Sequence, residues 1–225
     1  MENKESFRNR LLPHFSPSDQ LDIQLAYCLA KFGHRAQTRK EIVNGQAVRY
    51  FEHVRRVALV LMDEVKIMDK NMIISALLHD AIEDTDDLTP ELIEHSFGNE
   101  VVSMIKLLSK VPKEGYLERL FACENWKVLM LKGCDKLDNQ RSLMIPGTSL
   151  DFQKKQIAET HDHYFKLFDH LLEIVPVSYR QNAWHLRDEI RRITERNTVL
   201  FEINTNQKSV AISAGDPKSD ASLLG

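Results

Sequence analysis

Apolar residues recur along most of this chain at spacings of three and four, with few glycines or prolines between them, which predicts an all-α fold. Ser18-Asp19 offers an N-cap for a helix to about Phe32, with Leu21, Leu25, Cys28 and Leu29 forming a stripe expected in the core. The polar, basic stretch from Gly33 to Gln46 reads as a long loop. A second helix is expected from about Glu52 to Val65 on the spacing of Val54, Val57, Ala58, Leu61 and Val65. The third, Asn71 to Ile82, is apolar almost all round and is therefore expected to be buried. Thr89-Pro90 opens a further helix that Gly98 ends. Others are expected at about Glu100 to Leu108, Leu117 to Leu143, Asp151 to Leu172 and Ser178 to Thr198, punctuated by Pro146-Gly147 and Pro176. The polar C-terminal stretch reads as a mobile tail, or as a short hairpin pairing Val199 to Ile203 with Val210 to Ile212.

A length of 225 residues fits a single domain over residues 1–200 with a tail over 201–225. The longest apolar run, Val57 to Met62, is far short of the roughly 20 residues that a spanning helix needs, so no membrane partner is expected. The N-terminus lacks the apolar core of a secretion signal, and a cytoplasmic location is expected. Cys28, Cys123 and Cys134 have no metal-type spacing and are expected as reduced packing residues. A net charge of -3 argues against nucleic acid as partner, because no strongly basic face is implied. A local basic pocket for a small anion remains compatible with it. Oligomeric state is open.

The sharpest chemical feature is His79-Asp80 inside the buried third helix. An unpartnered buried carboxylate costs several kcal/mol, so the pair calls for a metal, a counter-charge or a hydrogen-bond network. Helical spacing adds Glu83 and Asp84 at the same end. A second cluster, Asp135, Asp138 and Asn139, has the same periodicity.

Together, His53-Val54, the run Leu77-Leu78-His79-Asp80-Ala81-Ile82-Glu83-Asp84-Thr85-Asp86 and Asp135-Lys136-Leu137-Asp138-Asn139 resemble the HD-type hydrolase domain of the RelA/SpoT family. His34 with Gln37, Thr38, Arg39 and Lys40 resembles the loop before that family's first metal histidine. The resemblance covers about residues 25–175, the hydrolase domain alone, and so is to a small alarmone hydrolase. It implies a compact helical bundle with His53, His79, Asp80 and Asp135 as metal ligands, Mn²⁺ as cofactor, and Glu83 and Asp84 as the catalytic acidic pair. Two imidazoles and two carboxylates suit a borderline-to-hard cation with open positions. The implied reaction is removal of the 3′-pyrophosphate from ppGpp or pppGpp. Arg39, Lys40, Asn139 and Tyr164 match substrate-binding positions, and Arg141, Lys110 and Lys113 are candidate phosphate partners on charge grounds.

Two departures matter. The segment Glu41 to Glu52 is longer than in the family, and Ala47-Val48-Arg49-Tyr50 stands in place of Gly-x-Pro-Tyr. Adenosine alarmones or NADPH therefore stand beside guanosine substrates, and a non-catalytic alarmone sensor or antidote is the alternative from another class. Asp138 replaces a histidine and is either an orienter of a metal ligand or a surface residue. His161 and His163 point to different helix faces and carry no metal expectation. His14, His95, His170 and His185 are expected in surface or packing roles.

Overall fold

In α2, Pro17–Gly33, proline occupies the first turn and Ser16 accepts the Asp19 amide, so the cap lies two residues before the expected one. The computed structural model describes residues 3–214, with side chains through 206. The buried face of α2 is Ile23, Ala26, Tyr27 and Ala30, whereas Leu21 and Leu25 are 66% and 45% exposed and Cys28 is exposed. Three of the four expected stripe residues thus lie on the outer face, while Leu29 packs against the core as expected. Both stripes satisfy helical spacing, and Tyr27 decides between them by packing edge-on against Phe51, ring centroids 4.8 Å apart, and against Phe7 of α1, Lys4–Leu11.

Where a loop was expected, the chain forms an antiparallel hairpin, β1 Thr38–Val43 and β2 Gln46–Arg49, pairing Ile42 with Ala47 and Val43 with Gln46. Asn44 and Gly45 both have positive φ, 51° and 76°, as a two-residue hairpin turn of matching twist requires. The hairpin docks on the loop after α9: the Ile42 amide donates to the Pro146 carbonyl at 2.7 Å. Gly147 there has φ 110°, and a Cβ would lie 1.9 Å from the Lys40 carbonyl oxygen, so no side chain fits.

Helix α3, Tyr50–Leu59, continues as a π-helical turn, Val60–Glu64, close to the expected element. The expected third helix is interrupted: α4, Lys70–Leu78, stops before His79, Asp80 turns the corner at φ -96° and ψ 0°, and Ala81–Asp84 forms the short α5. Helices α6, Pro90–Phe97, and α7, Asn99–Leu108, meet at Gly98 as expected. The single helix expected from Leu117 to Leu143 is two, α8 Tyr116–Phe121 and α9 Trp126–Ser142, because the Asn125 side chain accepts the Lys127 amide and restarts the helix. Helices α10, Leu150–Glu159, and α11, Phe165–Ile174, are joined through a π-helical turn, Thr160–Tyr164.

Helix α12, Arg180–Ala214, replaces the expected end at Thr198 and the expected hairpin strand over Val199 to Ile203. The end of the expected tail, residues 215–225, lies outside the described residues.

The core is built around α9, which is buried on nearly every face and packs against α12, α3, α11 and α7. No helix among the described residues is long and apolar enough to cross a membrane. The consequence for chemistry is that Lys132, Asp135, Lys136 and Asp138 of α9 are all buried polar groups that must find partners inside the fold.

Candidate metal centre and adjoining cavity

His53, in the first turn of α3, and the His79-Asp80 corner after α4 bring three donor atoms within 4.8 Å of one another. Asp135 of α9 completes the group, its Oδ1 lying 3.3 Å from His53 Nε2 and 3.8 Å from His79 Nε2. The corner aims His79 inward and lets its Nδ1 donate to the Ala76 carbonyl at 2.9 Å. A carbonyl only accepts, so the neutral ring carries its lone pair on Nε2. That nitrogen is buried and has no hydrogen-bond partner, although Asp80 Oδ2 is 3.0 Å away. A lone pair facing a carboxylate oxygen is repulsive unless a cation lies between them. His53 has the same arrangement: Nδ1 donates to Asp138 Oδ2 at 2.7 Å, leaving Nε2 toward Asp135 and Asp80.

The electrostatics agree. Burial acts to lower the pKa of His53, but hydrogen bonding to Asp135, Asp138 and Asp80 overrides it and raises the value to about 10. Without a cation, the group therefore holds a proton where a cation would sit. Burial acts to raise Asp80 and Asp135, yet His79 and His53 hold Asp80 well below the usual carboxylate range, and Lys132 with His53 does the same for Asp135. Both stay anionic. Tyr50 donates to Asp80 Oδ2 at 2.7 Å, Lys132 to Asp135 Oδ2 at 2.7 Å and Asn139 to Asp135 Oδ1 at 2.5 Å. The donor set thus fits a divalent cation: two imidazole lone pairs and two oriented carboxylates, each fixed from outside.

Glu83 and Asp84 on α5 flank this group. Glu83 Oε2 accepts the Lys110 amide at 3.0 Å, and Oε1 is 3.6 Å from Lys110 Nζ. Asp84 is half-buried, and burial, followed by the neighbouring Asp80 and Glu83, pushes its pKa up. Gln37 donates through Nε2 to the Asp84 carbonyl and accepts through Oε1 from His34 Nδ1 at 2.7 Å, and His34 stacks on Tyr50 with centroids 4.8 Å apart.

Next to the cluster, between the hairpin and α9–α10, lies a cavity of about 210 Å³ lined by Arg39, Lys40, Tyr50, Asn139, Phe152 and Gln156 among others. Arg39 donates to Asn139 Oδ1 at 2.7 Å, and Lys40 Nζ sits 3.7 Å from the centre of the Phe152 ring. Three expected substrate positions, Arg39, Lys40 and Asn139, are therefore brought together. Two are not. Arg141 points away, its guanidinium held by both Glu64 oxygens at 2.6 and 2.7 Å, and it lines a separate cavity. Tyr164 is buried outside the base-sized cavity, with Lys136 Nζ 3.8 Å from its ring centre. Asp138 is not a surface residue: it is buried and accepts from His53 Nδ1.

The sequence passed over Tyr50, Lys132, Glu41 and Arg56. Helical spacing was available for three of them, since Tyr50 precedes His53 by three, Arg56 follows it by three and Lys132 precedes Asp135 by three.

Residues 26–174 match the model of the HD domain family. The chain is 34% identical to a guanosine-3′,5′-bis(diphosphate) 3′-pyrophosphohydrolase of Aquifex aeolicus over 80% of its own length and 24% of the relative's. It is 29% identical to the bifunctional (p)ppGpp synthase/hydrolase SpoT of Escherichia coli over 82% of its length and 25% of the relative's. The pyrophosphohydrolase MESH1 of Drosophila melanogaster is 34% identical over 52% of this chain and 66% of that protein. A solved structure of a metazoan ortholog of SpoT, described as hydrolysing ppGpp, superposes with a TM-score of 0.59 at 27% identity, covering 76% of this chain and 94% of that one. The chain spans about a quarter of the first two relatives and just under two thirds of the third. With a family model covering most of its length and the histidine-aspartate corner in place, the chain belongs to the HD domain family.

Proposed function

We propose that the protein is a Mn²⁺-dependent 3′-pyrophosphohydrolase of guanosine 3′,5′-bis(diphosphate) and the pentaphosphate, releasing pyrophosphate and GDP or GTP. The observation that carries this reading is the pair of outward-fixed imidazoles whose Nε2 atoms face Asp80 and Asp135, directly beside a base-sized cavity. The names borne by the relatives point the same way.

His53, His79, Asp80 and Asp135 would hold the cation. When bound, it polarises the phosphate and lowers the pKa of water for in-line attack. Asp84, kept basic by burial and its acidic neighbours, takes the proton from the attacking water. Glu83, fixed by the Lys110 amide, orients that water. Attack on the phosphorus carried by ribose O3′ forms the new P–O bond and breaks the O3′–P bond, and O3′ leaves as the hydroxyl by taking up, through solvent, the proton that Asp84 accepted. Lys110 and Lys132 place positive charge beside the cluster, where the oxygens of the attacked pyrophosphoryl group gather negative charge. Arg39, Lys40 and Asn139 receive the nucleoside, with the Arg39 plane and the Phe152 ring as stacking surfaces.

The test is product analysis by anion exchange with ppGpp, its adenosine counterpart and NADPH offered separately to the Mn²⁺-loaded protein. GDP and pyrophosphate from ppGpp, in excess of turnover on the other two, is the expected result. Turnover of only an adenosine substrate reassigns the base. Tight ppGpp binding by calorimetry with no product makes the protein a binder instead.

A further inference from the structure

Glu41, on β1, is a buried carboxylate that touches neither the cation cluster nor α5. It accepts from Arg39 Nε at 3.0 Å and, on its two oxygens, from Arg56 Nη2 at 3.3 and 3.2 Å. Arg56 in turn donates through Nε to Asp138 Oδ1 at 2.7 Å and through Nη2 to Oδ2 at 3.1 Å. Asp138 Oδ2 accepts from His53 Nδ1. The other side of Arg39 donates to Asn139, which donates to Asp135. His53 Nε2 and Asp135 Oδ1, 3.3 Å apart, are the facing donors on which the two arms end. Two arms of bonds to charged groups thus run from the cavity arginine, one through Glu41, Arg56 and Asp138 to His53 and one through Asn139 to Asp135.

We propose that Glu41 and Arg56 are positioning residues that couple the nucleobase cavity to the cation site, so that filling one tightens the other. The inference rests on the reading of Arg39 as a base contact. Its physical basis is shared ordering. Arg39 has no water-filled alternative when a base lies against it, so a bound nucleoside holds the Glu41 carboxylate on Arg56, Arg56 on Asp138, and Asp138 on His53 Nδ1. The ordering cost of His53 is then already met when the cation arrives, which is positive cooperativity. By linkage the effect is reciprocal. A chain of bonds to charged groups in a largely buried setting is the arrangement in which such coupling is strongest.

The experiment uses the full chain and a probe without phosphates, so that the probe cannot ligate the metal through them. Mn²⁺ affinity is measured by the EPR signal of free Mn²⁺, with and without saturating guanosine or adenosine, in wild type, Glu41→Gln and Arg56→Gln. ppGpp turnover is followed in the same preparations. In wild type, whichever nucleoside binds is expected to tighten Mn²⁺ at least about fivefold, and Mn²⁺ to tighten that nucleoside by the same factor. Each variant, still binding Mn²⁺, is expected to lose at least half of that factor. If one variant fails to fold, the other, cutting the same arm one bond further along, decides. A factor of one in wild type, or an unchanged factor in the variants, overturns the coupling. Should either result come with normal ppGpp turnover, the hydrolase reading stands and only the coupling falls. Absence of both nucleoside binding and turnover overturns the two together.

Discussion

Replacing Asp138 by asparagine perturbs the candidate metal centre without touching a ligand. Asp138 is 3% exposed and accepts from two directions, from His53 Nδ1 at 2.7 Å and from Arg56 Nε at 2.7 Å and Nη2 at 3.1 Å. An amide of the same shape has one acceptor oxygen and one donor NH₂, so it cannot serve both partners. If the oxygen keeps Arg56, the NH₂ faces His53 Nδ1. The ring is then driven to the other tautomer, with its hydrogen on Nε2, the atom that faces Asp135 and Asp80. A ring in that tautomer cannot ligate through Nε2. If the oxygen keeps His53, the NH₂ opposes the Arg56 N–H and leaves a half-buried guanidinium partly unpaired. Loss of an outer partner of a ligating histidine typically costs about 10- to 100-fold in metal affinity. That corresponds to about 1.4 to 2.7 kcal/mol. The assay is Mn²⁺ titration by EPR on wild type and Asp138→Asn, with far-UV circular dichroism to confirm the fold. An Mn²⁺ affinity equal to that of wild type would refute the assignment of His53 Nε2 as a ligand atom.

Other outcomes follow from the same geometry. Asp84→Asn should retain Mn²⁺ and lose about 10²- to 10⁴-fold in kcat, because the proton acceptor is gone. In wild type, the raised pKa of Asp84 should place the acidic limb of kcat/KM above the ordinary Asp value of about 3.9, and a limb at or below that value contradicts this role. Gly147→Ala should weaken nucleoside binding by about tenfold while leaving Mn²⁺ affinity unchanged, since a Cβ there strikes Lys40 and strains a backbone at φ 110°; an equal loss of both would place the effect elsewhere. In EDTA, His53 and Lys136 should oppose each other in stability against pH. His53, raised to about 10, contributes stability that is lost as pH rises toward that value. Lys136, lowered to about 7 by burial and by the neighbouring Lys132, makes the folded state bind fewer protons than the unfolded one above that pH, so its penalty fades as pH rises. Each amounts to about 1.4 kcal/mol per pH unit. Lys136→Met should therefore fall in urea midpoint between pH 7 and 9 more steeply than wild type, and identical pH dependence in the two proteins would exclude this account of Lys136.

The all-α architecture was legible because burial all round the segment before His79 and the regular spacing before Gly98 and around Val57 leave little choice of element. The cluster of His53, His79, Asp80 and Asp135 was legible through its motifs, and the fold brings those donors together. What escaped was set by tertiary choice. Leu21 and Leu25 form as good a stripe as Ile23, Tyr27 and Ala30, and only the aromatic contact with Phe51 selects the latter. The hairpin did carry its signal, Asn44-Gly45, but its strands lack the polar-apolar alternation of a half-buried strand, with Arg39, Lys40 and Glu41 in a row, because they face a cavity and solvent. Arg141 looked available by charge alone, and nothing local announces Glu64, 77 residues earlier, as its partner. The π-helical turn and the Asp80 corner are departures of one or two residues that periodicity averages over.

The account stands on one cation held by this cluster performing the hydrolysis. The most direct measurement strips the protein with chelator, titrates Mn²⁺ back and follows bound metal and ppGpp turnover in the same samples, with Asp80→Ala alongside. The account predicts that GDP and pyrophosphate production rises in proportion to occupancy and saturates at one Mn²⁺ per chain, while Asp80→Ala neither binds nor turns over. Full turnover by the stripped protein, or by a folded Asp80→Ala, would contradict it.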